Sequence, residues 1–393
     1  MIDTIYVAMS GLHGYEQGLR TIANNTANLN TPGFKSSSLQ FADMFSSSNG
    51  YAASGSVGQG QFGFGLNTVG TALNFKQGQL QTTGNELDLA VDGQGLFSLR
   101  AADGSVRYTR DGQFKFNTDG VLVSSTTGEA VLAFDGSGSL AQISIANLKG
   151  NPASATGKIL FSGNLSSAVS TFTVGGITVV DGAGTSHTLA ARLDAVVGSP
   201  GSWAVTVLDG TTVVGTGTLA FVNGKPDPAN SRVAVTFNPP GQAPVPLSLD
   251  FSGNVTSSGS TTASTLSMAS QNGFGPGGLT RVTFDEAGVL LLSYSNGQTV
   301  RGARLALGRF SSQDSIGSIG DNEFEVKDGR AWQSGAAQEQ GFGAVRAGMV
   351  EMSNVDLSQQ FSDLVIMQRG YQACSQIVST ANDMLTELFA MRK

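Results

Sequence analysis

The sequence predicts a multidomain, mainly β chain with a terminal α-helical coiled-coil domain: its N- and C-terminal helices pair, and nested, discontinuous β domains lie between them. Three observations carry this reading. Both ends bear an apolar seam at helical spacing, the long middle alternates like strands, and one style of β sequence stops partway and resumes later.

The seams come first. Ile5, Ala8, Leu12, Tyr15, Leu19, Ile22, Thr26 and Leu29 recur at alternating steps of three and four. Leu364, Met367, Tyr371, Cys374, Val378, Ala381, Leu385 and Leu388 do the same near the other end. Such steps place one apolar stripe along one side of a helix. The first helix is expected from about Thr4 to Asn28, with Asp3 or Thr4 accepting free N–H groups at its start. Gly11, Gly14 and Gly18 weaken it by up to about 1 kcal/mol each relative to Ala. Pro32 biases Thr31 away from helix, and Gly33 permits a turn. The last helix is expected to begin after Asn354 or Asp356 and to run through Leu357 to Met391. At 1.5 Å per residue the two are roughly 40 and 50 Å long. An isolated pair with one seam each is marginal. Both ends are therefore expected to stay loosely helical until neighbouring copies supply further seams.

Residues 31–74 read as an extended connecting arm. They are rich in Ser, Gly and Phe, with little periodicity, and their aromatics (Phe34, Phe41, Phe45, Phe62, Phe64) suit an arm docked on another surface. From Phe75 the pattern becomes β, with short strands at Leu87–Val91, Gly95–Leu99, Phe114–Phe116 and Val121–Val123. The Asp-Gly pairs at 92–93, 103–104, 111–112 and 119–120 read as hairpin turns. A second β segment holds strands at Ile177–Val180, Leu189–Val197, Trp203–Val207, Thr212–Phe221, Val233–Phe237 and Leu247–Phe251. The first style resumes at Val282–Phe284, Val289–Tyr294 and Val300–Gly308. The expected division is 1–30 plus 357–393 (helical), 31–74 (arm), 75–145 plus 280–356 (β domain one) and 146–279 (inserted β domain two).

Composition removes several function classes. The chain has 22 basic and 29 acidic residues, a net charge of −7, and only 13% charged residues in all. A nucleic-acid binder needs a cationic face to displace counterions, and no basic run provides one. No apolar stretch approaches the roughly 20 residues that span a bilayer. The start, Met-Ile-Asp-Thr, has no positive n-region, so no cleavable secretory signal is expected. Cys374 is the one cysteine and sits on the seam, where it reads as a small apolar group. The two histidines, His13 and His187, form no recognisable metal or nucleophile pattern, and the Asp-Gly pairs lack the alternate acids and closing Glu of a calcium loop. No cofactor, metal site or catalysis is expected.

The stretch Ala23-Asn-Asn-Thr-Ala-Asn-Leu-Asn-Thr-Pro-Gly-Phe-Lys35 resembles the N-terminal signature of the bacterial flagellar rod and hook protein family. Ser353-Asn-Val-Asp-Leu357 and Met367-Gln-Arg-Gly-Tyr-Gln-Ala373 resemble its C-terminal signature. Asn85–Phe97 and Tyr108–Phe114 look like its shared β domain. The motif positions are Asn24, Asn25, Asn28, Asn30, Pro32, Gly33, Phe34, Asn354, Asp356 and Leu357. The asparagines at 24–30 have two readings: knitting subunits by amide hydrogen bonds, or stopping the helix. The resemblance covers about residues 1–145 and 280–393. Within the family, the insertion at 146–279 resembles the hook branch more than the shorter rod proteins.

The resemblance implies a structural subunit that self-assembles into a curved, flexible tube passing torque from rod to filament. It implies an extracellular place in the flagellar hook, reached by type III export through the flagellar channel. Its partners would be further copies of itself, the distal rod, the hook cap and the hook–filament junction proteins. A stiff distal rod protein of the same family and a secreted β-rich adhesin are the alternatives; the second would leave the paired terminal seams without a purpose.

Overall fold

A computed structural model describes residues 2–44, 46–48, 61–135, 137–259, 263–312 and 315–391. Phe45 lies outside this set, as do 49–60 and the last two residues of the expected helical domain; the side chain of Phe62 is likewise not described. Helices bracket the chain: α1 is Ile2–Ala27 and α2 is Leu357–Met391. Between them the described residues are mainly strands.

The chain divides into two compact units. The first holds residues 1–146, 282–291 and 301–393; the second holds 147–281 and 292–300.

In the first unit α1 and α2 pack antiparallel. The sequence reading expected loose ends awaiting neighbours. Instead both helices are continuous and meet each other within one chain, because glycines on their facing sides permit close contact. The arm also finds its partner at home. Strand Ser37–Asp43 pairs antiparallel with Leu66–Leu73, from Ser37 opposite Leu73 to Asp43 opposite Leu66. This hairpin lies on α1: Ser10 Oγ accepts from the Leu66 N–H at 3.2 Å, and the Tyr15 and Phe41 rings are 6.1 Å apart.

Early and late segments build the β part of this unit together. Leu96–Arg100 pairs with Val106–Thr109, with Ala130–Phe134 and with Leu307–Phe310. Leu89–Asp92 pairs with Ala344–Ala347, and Leu80–Thr82 with Met349–Glu351. Only two of the four Asp-Gly pairs make hairpins, at 103–104 and 119–120, where the flanking strands pair with each other. Asp92-Gly93 links strands with different partners. Gly112 is a point of contact instead of a turn: a Cβ there would lie 1.6 Å from the Leu89 carbonyl oxygen, which leaves room only for glycine.

The second unit is a two-sheet sandwich. One sheet is a meander through Thr171–Val180, Ser186–Ala195, Ser202–Asp209, Thr212–Val222 and Lys225–Pro226. The other orders Arg232–Phe237, Val245–Asp250, Lys158–Ser166 and Val255–Ser258, with Ser267–Gln271 also on Lys158–Ser166. Alternate residues point inward, as period-two strands require. Trp203, Val205 and Val207 from one sheet join Val233, Val235 and Phe237 from the other in one core. Every strand expected from sequence in this unit lies within or overlaps an observed one.

Candidate assembly surface and its junction

The helix pair rests on small residues. A Cβ on Gly11 would come within 2.6 Å of Cys374 Sγ, and one on Gly18 within 2.8 Å of Met367 Sδ. Tyr15 lies flat against Gly370, where a Cβ would be 2.5 Å from its ring. On its other side α1 uses Gly14, where a Cβ would be 2.5 Å from Leu66 Cδ1. These contacts fix an antiparallel register: Gly11 with Cys374, Tyr15 with Gly370, Gly18 with Met367, Asn25 with Gln360. The glycines that weaken α1 as an isolated helix are what let its partners approach. Periodicity of apolar residues carried no sign of this.

Along the expected seams, Ala8, Ile22 and Ala381 are buried. Ile5, Leu12, Tyr15, Leu19, Thr26, Leu29, Leu364, Met367, Cys374, Val378 and Leu385 are half-buried. Tyr371 and Leu388 are exposed within this chain. Beside Tyr371, Gly370 makes the contact with Tyr15. Leu388 lies beyond the start of α1, because in this register the last turns of α2 outrun it. Elsewhere α2 leaves Phe361, Val365, Ile366, Ile377, Met384 and Phe389 exposed. So much apolar surface on one helix marks an interaction face.

Below the helices a polar junction ties α1, the hairpin, α2 and the β strands together. Asn25, 2% exposed, donates from Nδ2 to the Ser37 carbonyl (2.8 Å) and Gln360 Oε1 (2.9 Å), and its Oδ1 accepts from the Ser37 N–H (3.0 Å). Asn354 does the same work on the late segment. Its Oδ1 accepts from the Ser36 N–H at 2.8 Å, and its Nδ2 donates to the carbonyls of Asn74 (2.6 Å) and Lys76 (2.8 Å). Asn28 Nδ2 donates back to the Asn24 carbonyl at 2.9 Å and its Oδ1 accepts from Thr31 Oγ1, closing the helix end. Asn24 and Asn30 are exposed. Pro32, half-buried, accepts from Asn322 Nδ2 at 3.1 Å, and the half-buried Phe34 offers its carbonyl to the Asn354 N–H at 3.4 Å. Asp356 caps α2, its Oδ1 accepting from the Ser358 N–H at 2.9 Å ahead of the first helical residue, Leu357.

Gly33 turns with φ +71° against the Asp111 backbone and delivers Lys35 to a buried site. Lys35 Nζ donates to Glu351 Oε1 at 2.5 Å and to the Lys76 carbonyl at 3.0 Å, with both charged side chains fully enclosed. Glu351 Oε1 also accepts from the Gly78 N–H. Arg110 stands 3.1 Å from Glu351 Oε2, while its hydrogen bonds go to the Val91 and Gly93 carbonyls. Burial lowers the affinity of Lys35 for its proton, nearby Arg110 adds to this, and Glu351 opposes it. Burial likewise lowers the Arg110 guanidinium, with Glu351 opposing. Sequence reasoning missed Glu351, Arg110 and Gln360. Lys35 closed the quoted motif, but nothing in the sequence points to a carboxylate 316 positions away.

Among the described residues no group of three or more His, Cys, Asp or Glu could hold a metal ion, and no helix is long and apolar enough to cross a membrane.

Three family profiles match. They are described as flagella basal body rod protein (residues 5–35), flagellar hook protein FlgE/F/G D1 domain (90–166) and flagellar basal body rod FlgEFG protein C-terminal (346–391). The flagellar hook protein FlgE of Borreliella burgdorferi is 29% identical, the alignment covering 100% of both chains. That of Escherichia coli is 29% identical over 98% of this chain and 99% of the other. The basal-body rod protein FlgG of Bacillus subtilis is 23% identical over the whole of both. In fold, the crystal structure of Helicobacter pylori hook protein FlgE2 matches 69% of this chain and 100% of its own with a TM-score of 0.55 at 14% identity. With signature segments at both ends, the shared β domain between them and relatives that align end to end, this chain carries the domains of the flagellar hook and basal-body rod proteins.

Proposed function

We infer that this chain is a non-enzymatic structural subunit of the bacterial flagellar hook, built to polymerise through its terminal helices. The observation that carries this is the face of α2 that the described residues leave exposed, on a chain that aligns end to end with proteins named flagellar hook protein. Burying a Leu-sized side chain contributes roughly 1.5–3 kcal/mol, so a row of such residues gives neighbouring copies a strong incentive to pack. The hook reading is favoured over the rod reading by 29% against 23% identity over comparable spans.

The labour divides by contact type. The helical part (1–30 plus 357–393) forms the inner wall, where packed seams resist change. The arm (31–74) and β domain one (75–145 plus 280–356) surround it. The insertion (146–279), poor in charge and rich in Ser, Thr and Gly, offers outer contacts that slide as the tube bends. Export through the flagellar type III apparatus brings the chain to its place. Distal rod, cap and junction proteins adjoin the finished tube.

The test is electron microscopy of the concentrated full-length protein beside chains lacking residues 1–30 or 357–393. Curved tubes from the full chain and soluble monomers from the shortened ones are expected. Straight rigid tubes would favour the rod reading, and tubes from either shortened chain would overturn the assembly mechanism.

A further inference from the structure

Strand Val106–Thr109 brings two carboxyl groups onto one guanidinium. Arg107 Nη1 donates to Glu129 Oε1 at 2.8 Å and to Glu323 Oε2 at 3.1 Å. Glu129 directly precedes strand Ala130–Phe134, and Glu323 opens strand Glu323–Val326, which pairs with Val106–Thr109. The two acidic side chains are 10% and 3% exposed. Each keeps one oxygen without a donor: Glu129 Oε2 and Glu323 Oε1 are buried and unpaired. Because both bond the same nitrogen, Arg107 Nη1, the two carboxyl groups are neighbours across it. The charged groups around them are Arg107 and Asp103, whose exposed carboxylate lies 4.0 Å from Arg107 Nη2.

Two buried carboxylate oxygens without donors are costly, and two negative charges against one guanidinium leave an excess. A single hydrogen between them removes both difficulties. It gives one orphan oxygen a donor and the other an acceptor role, and it leaves one negative charge opposite Arg107. A metal ion would need further ligands, and no such cluster occurs among the described residues.

We propose that Glu129 and Glu323 share one proton at neutral pH, forming a proton-binding site that closes the early β segment of this unit onto the late one. Burial raises the Glu129 carboxyl above its ordinary value, and the negative charge of Glu323 raises it further, against the pull of Arg107. A folded-state value above the unfolded one means that the stabilisation is complete below the unfolded value, about 4.3, and is lost as pH rises through the folded value.

The full chain, kept dilute and unpolymerised, provides the test. Glu129→Gln supplies a permanent N–H donor and removes one charge. Its unfolding midpoint should exceed that of the wild type by about 2–4 °C at pH 8, the shift expected for roughly 1 kcal/mol, and the gain should vanish near pH 4. Infrared difference spectra at pH 7 should show a carboxylic-acid carbonyl band in the wild type that is absent from Glu129→Gln and from Glu323→Gln. If either variant fails to fold, the other and the wild-type titration still decide. No such band in the wild type would overturn the proposal. So would a midpoint raised by calcium or magnesium in the wild type and not in Glu129→Gln, which would put a cation where the proton is placed.

Discussion

Cys374 Sγ occupies the space in which a side chain on residue 11 would begin, 2.6 Å from where a Cβ on Gly11 would lie. The helix pair is thus held at a separation that only glycine allows. Gly11→Ala should raise intrinsic helix propensity by up to about 1 kcal/mol and yet lose about 1–3 kcal/mol to overpacking. The expected result is faster amide exchange in both α1 and α2. Cys374→Ala in the same chain should reverse it, since the neighbour left behind is the Cβ at 3.7 Å. Exchange that slows in Gly11→Ala alone would show that the contact is slack.

Leu385 is the last half-buried position on the α2 seam, just before that helix outruns α1. Leu385→Asp places a charge on the shared apolar surface and should abolish tube formation. The monomer should keep its β circular dichroism. Sedimentation and negative-stain images read the first outcome, spectroscopy the second.

Glu351 serves two buried cations. Glu351→Gln leaves Lys35 and Arg110 close together without a counter-charge, and removing one partner from such a site costs about 3–5 kcal/mol. Chemical denaturation should register that loss. Substituting Lys35→Met in the same chain should recover part of it by removing one of the stranded charges.

Asp250 in the second unit gives an acid-side prediction. Burial opposes its charge, but donors from Ser252 Oγ and N–H, together with Lys158 (3.0 Å) and Arg232 (3.2 Å), outweigh this and hold its carboxyl well below the usual carboxylate range. A depressed folded-state value means that its stabilisation is present above the unfolded value of about 3.9 and disappears as pH falls through the lower folded one. Asp250→Asn should therefore cost about 1.5–3 kcal/mol at pH 7 and progressively less toward pH 2. A constant difference across that range would show that charge is not its contribution.

Much of the fold was legible because its signals are local. The three-four spacing of Ile5 through Leu29 reveals a helix from within the helix, and the alternation in Trp203–Val207 reveals a strand from within the strand. What escaped is pairwise and distant. Nothing around Gly370 announces that Tyr15 will lie on it, and the arm's lack of period hid a hairpin whose strands are separated by residues 44–65. Asp111-Gly112 misled for a related reason. The pair has turn chemistry, but Gly112 is required by the approach of Leu89, which no neighbour in sequence foreshadows. The polar junction was visible as a motif around Asn25 and Asn354, whereas its hydrogen-bond partners were not.

The boundary of the second unit crosses the chain at four places: 146/147, 281/282, 291/292 and 300/301. A protease that nicks one of these connections leaves the module tethered by the remaining three. Excising 147–281 alone would strand 292–300 without its companions, so a clean domain deletion must also shorten that excursion to a turn.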